Sequence, residues 1–323
     1  MTSKDLQPLN QAQSNIAPPK QESRVVLGFL IALTGHFAIA LSQFFIKRLQ
    51  PKVPSFQVQY FVFLQMAVFN YILCRSNNLP IYFTKPHINK LTILRGILGI
   101  TGSSGLLYSL NKLSLSEVIV INNTSPVITN ILAIIFLKET LDFPLALNAI
   151  LSIIGVLFIA QPGFLFPSNQ VSSGADSILI GFIGASVSAV CGGIAPLLLK
   201  TAGKFVKPIT LSYFMGVFVS ILAPIGIFTQ GSVHLNFSDL LKLLAGGITM
   251  TVGQTLWAKS AVYAEASRLS MALYSQTIFA YILEIVVDQI YPDSFKIYGT
   301  LFILSGFFVL LQKAIKQSRA KAT

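Results

Sequence analysis

Two polar clusters interrupt apolar stretches of this chain. Asn122, Asn123, Thr124 and Ser125 stand together and are followed at once by Pro126. Tyr274, Ser275, Gln276 and Thr277 do the same in a second stretch. Amides, hydroxyls and a phenol offer hydrogen bonds without fixed charge. Their chemistry is reversible recognition of a polar solute. Pro126 cannot donate a backbone hydrogen bond, and its ring crowds the carbonyl four residues back, that of Asn122. Asn122 and Ser125 share a helix face with Pro126, and Asn123 points elsewhere. An unsatisfied polar group in lipid costs several kcal/mol, so these atoms must face protein, water or ligand. Asn122, Ser125, Tyr274 and Gln276 are therefore substrate-binding candidates, and Pro126 is the structural kink between them. Bonding between neighbouring helices is the plainer alternative.

Other side chains widen the candidate wall. Ser103, Ser104, Tyr108, Gln254 and Trp257 lie in two further apolar stretches. Trp257 would stack on a planar solute or anchor its helix at the membrane interface. His36 falls in the middle of the first stretch, where it packs, binds solute or senses protons near neutral pH. Lys259 and Arg95 stand near helix ends, where long cations snorkel; facing inward, they would favour an anion. Glu284, one turn from Asp288, is the candidate coupling group, since burial raises a carboxyl pKa toward neutrality. Glu139, beside Lys138 and Asp142, reads as a structural or gating residue. Gly96, Gly99, Gly102 and Gly105 recur every three residues, with Gly246, Gly247 and Gly253 as an echo; small residues let membrane helices approach closely.

Enzyme signatures are missing. The chain carries no Walker A loop, no G-x-S-x-G and no H-E-x-x-H. Its three histidines are scattered, and Cys74 and Cys191 form neither a disulfide framework nor a metal motif. No cofactor or metal is expected.

The elements that must position these residues follow from composition. The 323 residues are 53% hydrophobic and 11% charged, against about 25% charged in soluble domains. That leaves too little polar surface to coat a water-soluble globule of this size. An integral membrane protein is the class that fits. Ten stretches are long enough to span: about 24–46, 56–75, 91–110, 116–137, 143–160, 177–199, 208–229, 239–261, 268–289 and 295–314. Residues 1–23 lack the h-region of a signal peptide and read as a disordered cytosolic tail. Residues 162–176 form a linker rich in Pro, Gly and Ser, and 316–323 a basic cytosolic tail.

The net charge of +12 reflects topology rather than nucleic-acid binding. With the N-terminus inside, 17 Lys and Arg fall on the inner side and 6 on the outer, so both termini are expected in the cytosol. Lys47, Arg48 and Lys52, in the first outer loop, dissent. Asn236-Phe237-Ser238 is a sequon in a predicted outer loop. Arg319 and Lys321 faintly echo a basic retrieval signal. Plasma membrane and endomembrane both remain open.

The halves echo one another. At an offset of 150, Gly96 meets Gly246, Ser103 meets Gly253 and Ser125 meets Ser275. Five spans per half is an odd number, so the second copy enters the membrane from the opposite side. The expected fold class is all-α integral membrane, ten transmembrane helices as a 5+5 inverted repeat around a central cavity. The first repeat is 24–161 and the second 177–315.

The run from Tyr108 through Ser116, Ser125-Pro126 and Leu137-Lys138-Glu139 to Gly155-Val156-Leu157-Phe158-Ile159 resembles the repeat signature of EamA-type carriers of the drug/metabolite transporter superfamily. Within it the chain is most similar to the solute carrier 35 group, G subgroup. In the second half Gln289 stands in place of a Glu139 equivalent, and Gln276 opposite Pro126. The resemblance implies a basket of ten helices, with helices 1–4 of each repeat lining a cavity and helices 5 and 10 behind it, where a homodimer could form. The reading is a secondary transporter or exchanger of a small polar or organic metabolite, anions included. The alternatives are a non-transporting scaffold or receptor and, less fittingly, an intramembrane enzyme. The expected partners are a small-molecule substrate and the lipid bilayer.

Overall fold

A computed structural model describes residues 21–49, 52–82, 86–110, 112, 118, 121–122, 124–138, 143–160, 175–263, 272–289 and 294–320. Every regular element among them is an α-helix: α1 (Gln21–Lys47), α2 (Ser55–Ser76), α3 (Pro86–Leu110), α4 (Ser125–Leu137), α5 (Phe143–Ala160), α6 (Ala175–Ala202), α7 (Pro208–Gln230), α8 (Phe237–Ser260), α9 (Leu273–Asp288) and α10 (Ser294–Ala320). The expected N-terminal tail up to residue 20, most of the linker, Asn123, Glu139 and Asp142 lie outside the described residues. α10 continues to Ala320, through most of the basic tail.

Burial is arranged inside out relative to a soluble protein. Ile72, Ile135, Phe136, Ile221 and Phe228 are exposed, whereas His36, Gln59, Asn70, Arg95 and Thr129 are buried. Large apolar side chains outside and polar ones inside are what hydrocarbon demands. Among the described residues five runs are long and apolar enough to cross a membrane: Leu27–Lys47, Ser55–Ser76, Ile88–Ser109, Ile180–Ala202 and Pro208–Gln230. Shorter apolar runs lie in α4, α5 and α10.

The helix pairs are regular. α1 packs on α8 and α9, α2 on α7 and α8, α3 on α6 and α7, α4 on α6, and α5 on α10. Moving each helix five places along the chain returns the same list. The α1–α8 pair becomes α6–α3, and α1–α9 becomes α6–α4. Glycine sets the closest of these approaches. A Cβ at Gly105 of α3 would stand 2.5 Å from the Gly184 carbonyl oxygen of α6. One at Gly253 of α8 would stand 2.8 Å from the Gly35 carbonyl oxygen of α1. The two contacts occupy equivalent helix pairs, so backbone meets backbone twice, once in each.

Pro126 does not kink a continuous helix. It stands in the first turn of α4, where a missing N–H costs nothing, because first-turn donors have no partner within the helix. Ahead of it the chain tightens: Thr124 N donates to the Ile121 carbonyl at 3.1 Å, as does its hydroxyl at 2.7 Å. The Asn122 carbonyl that the proline excludes accepts the Ser125 hydroxyl at 2.5 Å. The expected bend is therefore a restart of the helix at Ser125.

Two apolar clusters bracket the centre. One joins Leu49, Val53, Val58, Val62, Met66, Met215, Val219 and Leu243. The other joins Ala32, Leu199, Ala202, Val206, Leu211, Ala258, Ala261 and Ala272, with Phe29, Ile88, Leu91 and Trp257 against it. Its members come from the beginnings of α1, α3, α7 and α9 and the ends of α6 and α8. In a bundle of alternating direction, that is one end of the molecule.

Candidate functional site

A cavity of about 240 Å³ lies between the clusters. Its wall draws on α1, α2, α3, α4, α6, α7, α8 and α9, with α5 and α10 outside it. It runs from Trp257, which rests on the alanine-rich cluster, to Lys47, which is exposed at the far end of α1.

Helix periodicity decides who reaches the wall. α3 presents Arg95, Leu98, Gly99, Gly102, Ser103, Leu106 and Leu107, a stripe of spacing three and four. Tyr108 follows that stripe by one residue and does not line the cavity. α8 presents Met250, Gln254 and Trp257. Lys259, two residues on, turns away and is exposed. α9 presents Leu273 and Gln276, three apart on one face. Tyr274, one residue round, is buried instead, with its hydroxyl unpartnered. Asn122, Ser125 and His36 are on the wall. The side chain of Glu284 lies outside the described residues.

The deep end of the wall is a polar cluster built across the halves of the chain. Arg95 is 5% exposed; its Nη2 donates to Gln254 Oε1 at 3.3 Å, and its guanidinium lies 5.8 Å from the Trp257 ring. His36 is 2% exposed, and its ring is 6.1 Å from that of Trp257. His36 Nδ1 lies 3.3 Å from Gln276 Oε1, and Gln276 Nε2 donates to Gln43 Oε1 at 2.7 Å. His36 Nε2 and Trp257 Nε1 are buried without a hydrogen-bond partner. No acidic side chain lines the cavity among the described residues. Arg95 is therefore a buried cation with no carboxylate on the same wall.

Around this cluster the polar groups are already satisfied. Asn122 Oδ1 accepts the Ser188 hydroxyl at 3.1 Å, tying the segment ahead of α4 to α6. The Thr129 hydroxyl donates to the Gly193 carbonyl at 2.9 Å. Gln59, 1% exposed, donates to Ser103 Oγ at 2.5 Å and accepts from Ser104 Oγ at 3.2 Å. Gln43, Gln59, Thr129 and Ser188 escaped the sequence reading. Thr129 and Ser188 carried the signal that marked Asn122, a polar residue at the centre of an apolar stretch, whereas Gln43 and Gln59 stand near the ends of theirs.

The sequence profile of the EamA-like transporter family matches the chain twice, over residues 26–161 and 179–312. Solute carrier family 35 member G1 of Homo sapiens is 27% identical over 288 residues, covering 87% of this chain and 77% of that one. A probable transport protein of Saccharomyces cerevisiae is 28% identical, covering 71% of this chain and 69% of its own. An uncharacterized membrane protein of the same yeast is 26% identical over 74% of this chain, and the match spans 61% of that protein's length. A solved crystal structure superposes with a TM-score of 0.74 at 14% identity, covering 91% of this chain and 99% of that one, and so shares its fold.

Proposed function

The chain belongs to the EamA-like transporter family, and from that premise we propose a secondary transporter or exchanger of a small organic anion, working by alternating access. Relatives described as transporters support the transport role in general. The observation that carries the anion is Arg95. Counted along α3 it stands about 10 Å inside the apolar run that begins at Ile88. A buried cation costs several kcal/mol at such depth and is retained where it binds charge. Gln254 offers it one amide oxygen and Trp257 a ring face, neither of which neutralises it.

A 5+5 inverted repeat is supported by the twofold family match and by a packing list that survives a five-helix shift. The distribution of Lys and Arg favours cytosolic termini. On that orientation the cavity extends toward the outer side, and the alanine-rich cluster closes the inner one. Rocking one repeat against the other would reverse this. A non-transporting scaffold would instead fill its centre with contacts between α4 and α9, where the cavity now stands.

The test is flux. The full chain in liposomes, screened with radiolabelled mono- and dicarboxylates, amino acids and nucleotides, is expected to show saturable counterflow of an organic anion. Arg95→Gln should lower kcat/KM at least tenfold, as loss of a charged contact of about 2 kcal/mol or more implies. Unchanged flux of every solute in that variant would sink the anion assignment.

A further inference from the structure

We infer that His36 is the proton-binding site of this carrier, so that an organic anion held by Arg95 and a proton cross together. The inference rests on the anion reading above and adds the coupled ion. It starts from the hydrogen-bond order at the deep end of the cavity. Gln276 gives its amide N–H to Gln43, which leaves its oxygen facing the imidazole. His36 Nδ1 is therefore the protonated nitrogen, and Nε2 carries the bare lone pair. That lone pair is buried on the cavity wall and has no partner. A buried acceptor without a donor is a costly arrangement unless something completes it during the working cycle.

Two things can complete it, a donor on the solute or a proton. The surroundings favour the proton once the anion is in place. Arg95 and His36 flank the same indole, at 5.8 and 6.1 Å from the Trp257 ring. With the cavity empty, a second positive charge beside Arg95 in a low-dielectric site is opposed by repulsion and by lost hydration. A carboxylate on Arg95 removes the first penalty and offsets the second. By reciprocity, a protonated His36 tightens the anion by the same factor. The proton binds Nε2, Nδ1–H keeps its bond to Gln276, and both charges leave together when the site faces the other side.

The helices packed on α1 offer no better candidate among the described side chains. α8 brings Asp239 and Lys242 at its far end and Lys259, which is exposed. α9 brings the Tyr274 phenol, and the side chains of Glu284 and Asp288 lie outside the described residues. α10 touches α1 more lightly, and the side chains of its Lys296, Lys313, Lys316 and Arg319 lie outside the described residues. Across the cavity, α3 brings Arg95. None of the described groups is an acid against the imidazole, so its charge answers chiefly to what occupies the cavity.

The experiment uses the full chain in liposomes with labelled L-malate, gluconate and phenyllactate, and pyranine trapped inside. Counterflow at equal pH tests the anion reading. Uptake into vesicles about one pH unit more acidic outside tests the proton. At least one probe is expected to exchange, to accumulate up to about tenfold under the gradient, and to acidify the lumen as it enters. Gln276→Glu sets a carboxylate on Nδ1 and should move the pH profile of uptake upward by about one unit or more. His36→Gln should bring accumulation under the gradient down to about onefold. Failure of all three probes to exchange overturns the anion reading and this inference with it. Exchange without gradient-driven accumulation or lumen acidification, accumulation that survives His36→Gln, or a Gln276→Glu profile that stays in place overturns the proton site alone.

Discussion

Arg95 sets function against stability at a single residue. Its charge is buried without a carboxylate on the same wall among the described residues. Replacing a buried charge by an apolar side chain of similar length often stabilises a protein. Arg95→Leu should therefore melt no lower than the wild type in detergent, yet carry no anion. A lower melting temperature would mean that the guanidinium serves packing first. Asn122 should behave in the opposite way. Its side chain is held by Ser188, so Asn122→Ala should cost about 1 kcal/mol of stability, read as a lower melting temperature, and change KM less than Gln276→Ala does. At this scale residue types were legible in the sequence and directions were not. A polar residue in an apolar stretch announces itself. Whether Tyr274 or Leu273 meets the cavity depends on a rotation of about 100° per residue, fixed by packing against neighbours.

Among the elements, the glycines separate by what their missing side chains would meet. Gly105→Ala and Gly253→Ala drive a methyl into a facing backbone, which cannot step aside. Each should lose about 1–3 kcal/mol in thermal or denaturant unfolding. Gly246→Ala finds its nearest neighbour at 3.6 Å and should be tolerated. All three look alike in the sequence, and two of their partners, Gly35 and Gly184, belong to no visible series. Helix crossings pair residues across more than seventy positions, which periodicity within one helix does not reveal. α4 holds the same lesson. Pro126 in a long apolar stretch reads as a kink, and the structure puts it in a first turn. Pro126→Ala should thus change stability by less than about 1 kcal/mol, where removal of a mid-helix proline would gain more.

For the whole molecule, the all-helical membrane class and the positions of the helices among the described residues were legible, because length, hydropathy and spacing are local. The depth of the cavity and the end it faces were not, because they follow from how the halves lean on each other. Cys191 reports on this: it lines the cavity, whereas Cys74 is buried elsewhere against Thr210. A small charged thiol reagent applied from the Lys47 side should label Cys191 faster than Cys74, and a transported anion should slow the labelling. Equal rates would place the opening elsewhere. The closed end has a kinetic meaning too. Five of its eight buried members are alanine. A methyl group leaving an apolar contact forfeits about 0.8 kcal/mol, so the five together contribute about 4 kcal/mol, beside what Leu199, Val206 and Leu211 add. Methyl contacts of this size part without side chains having to clear one another, unlike the longer Leu199 and Leu211 beside them.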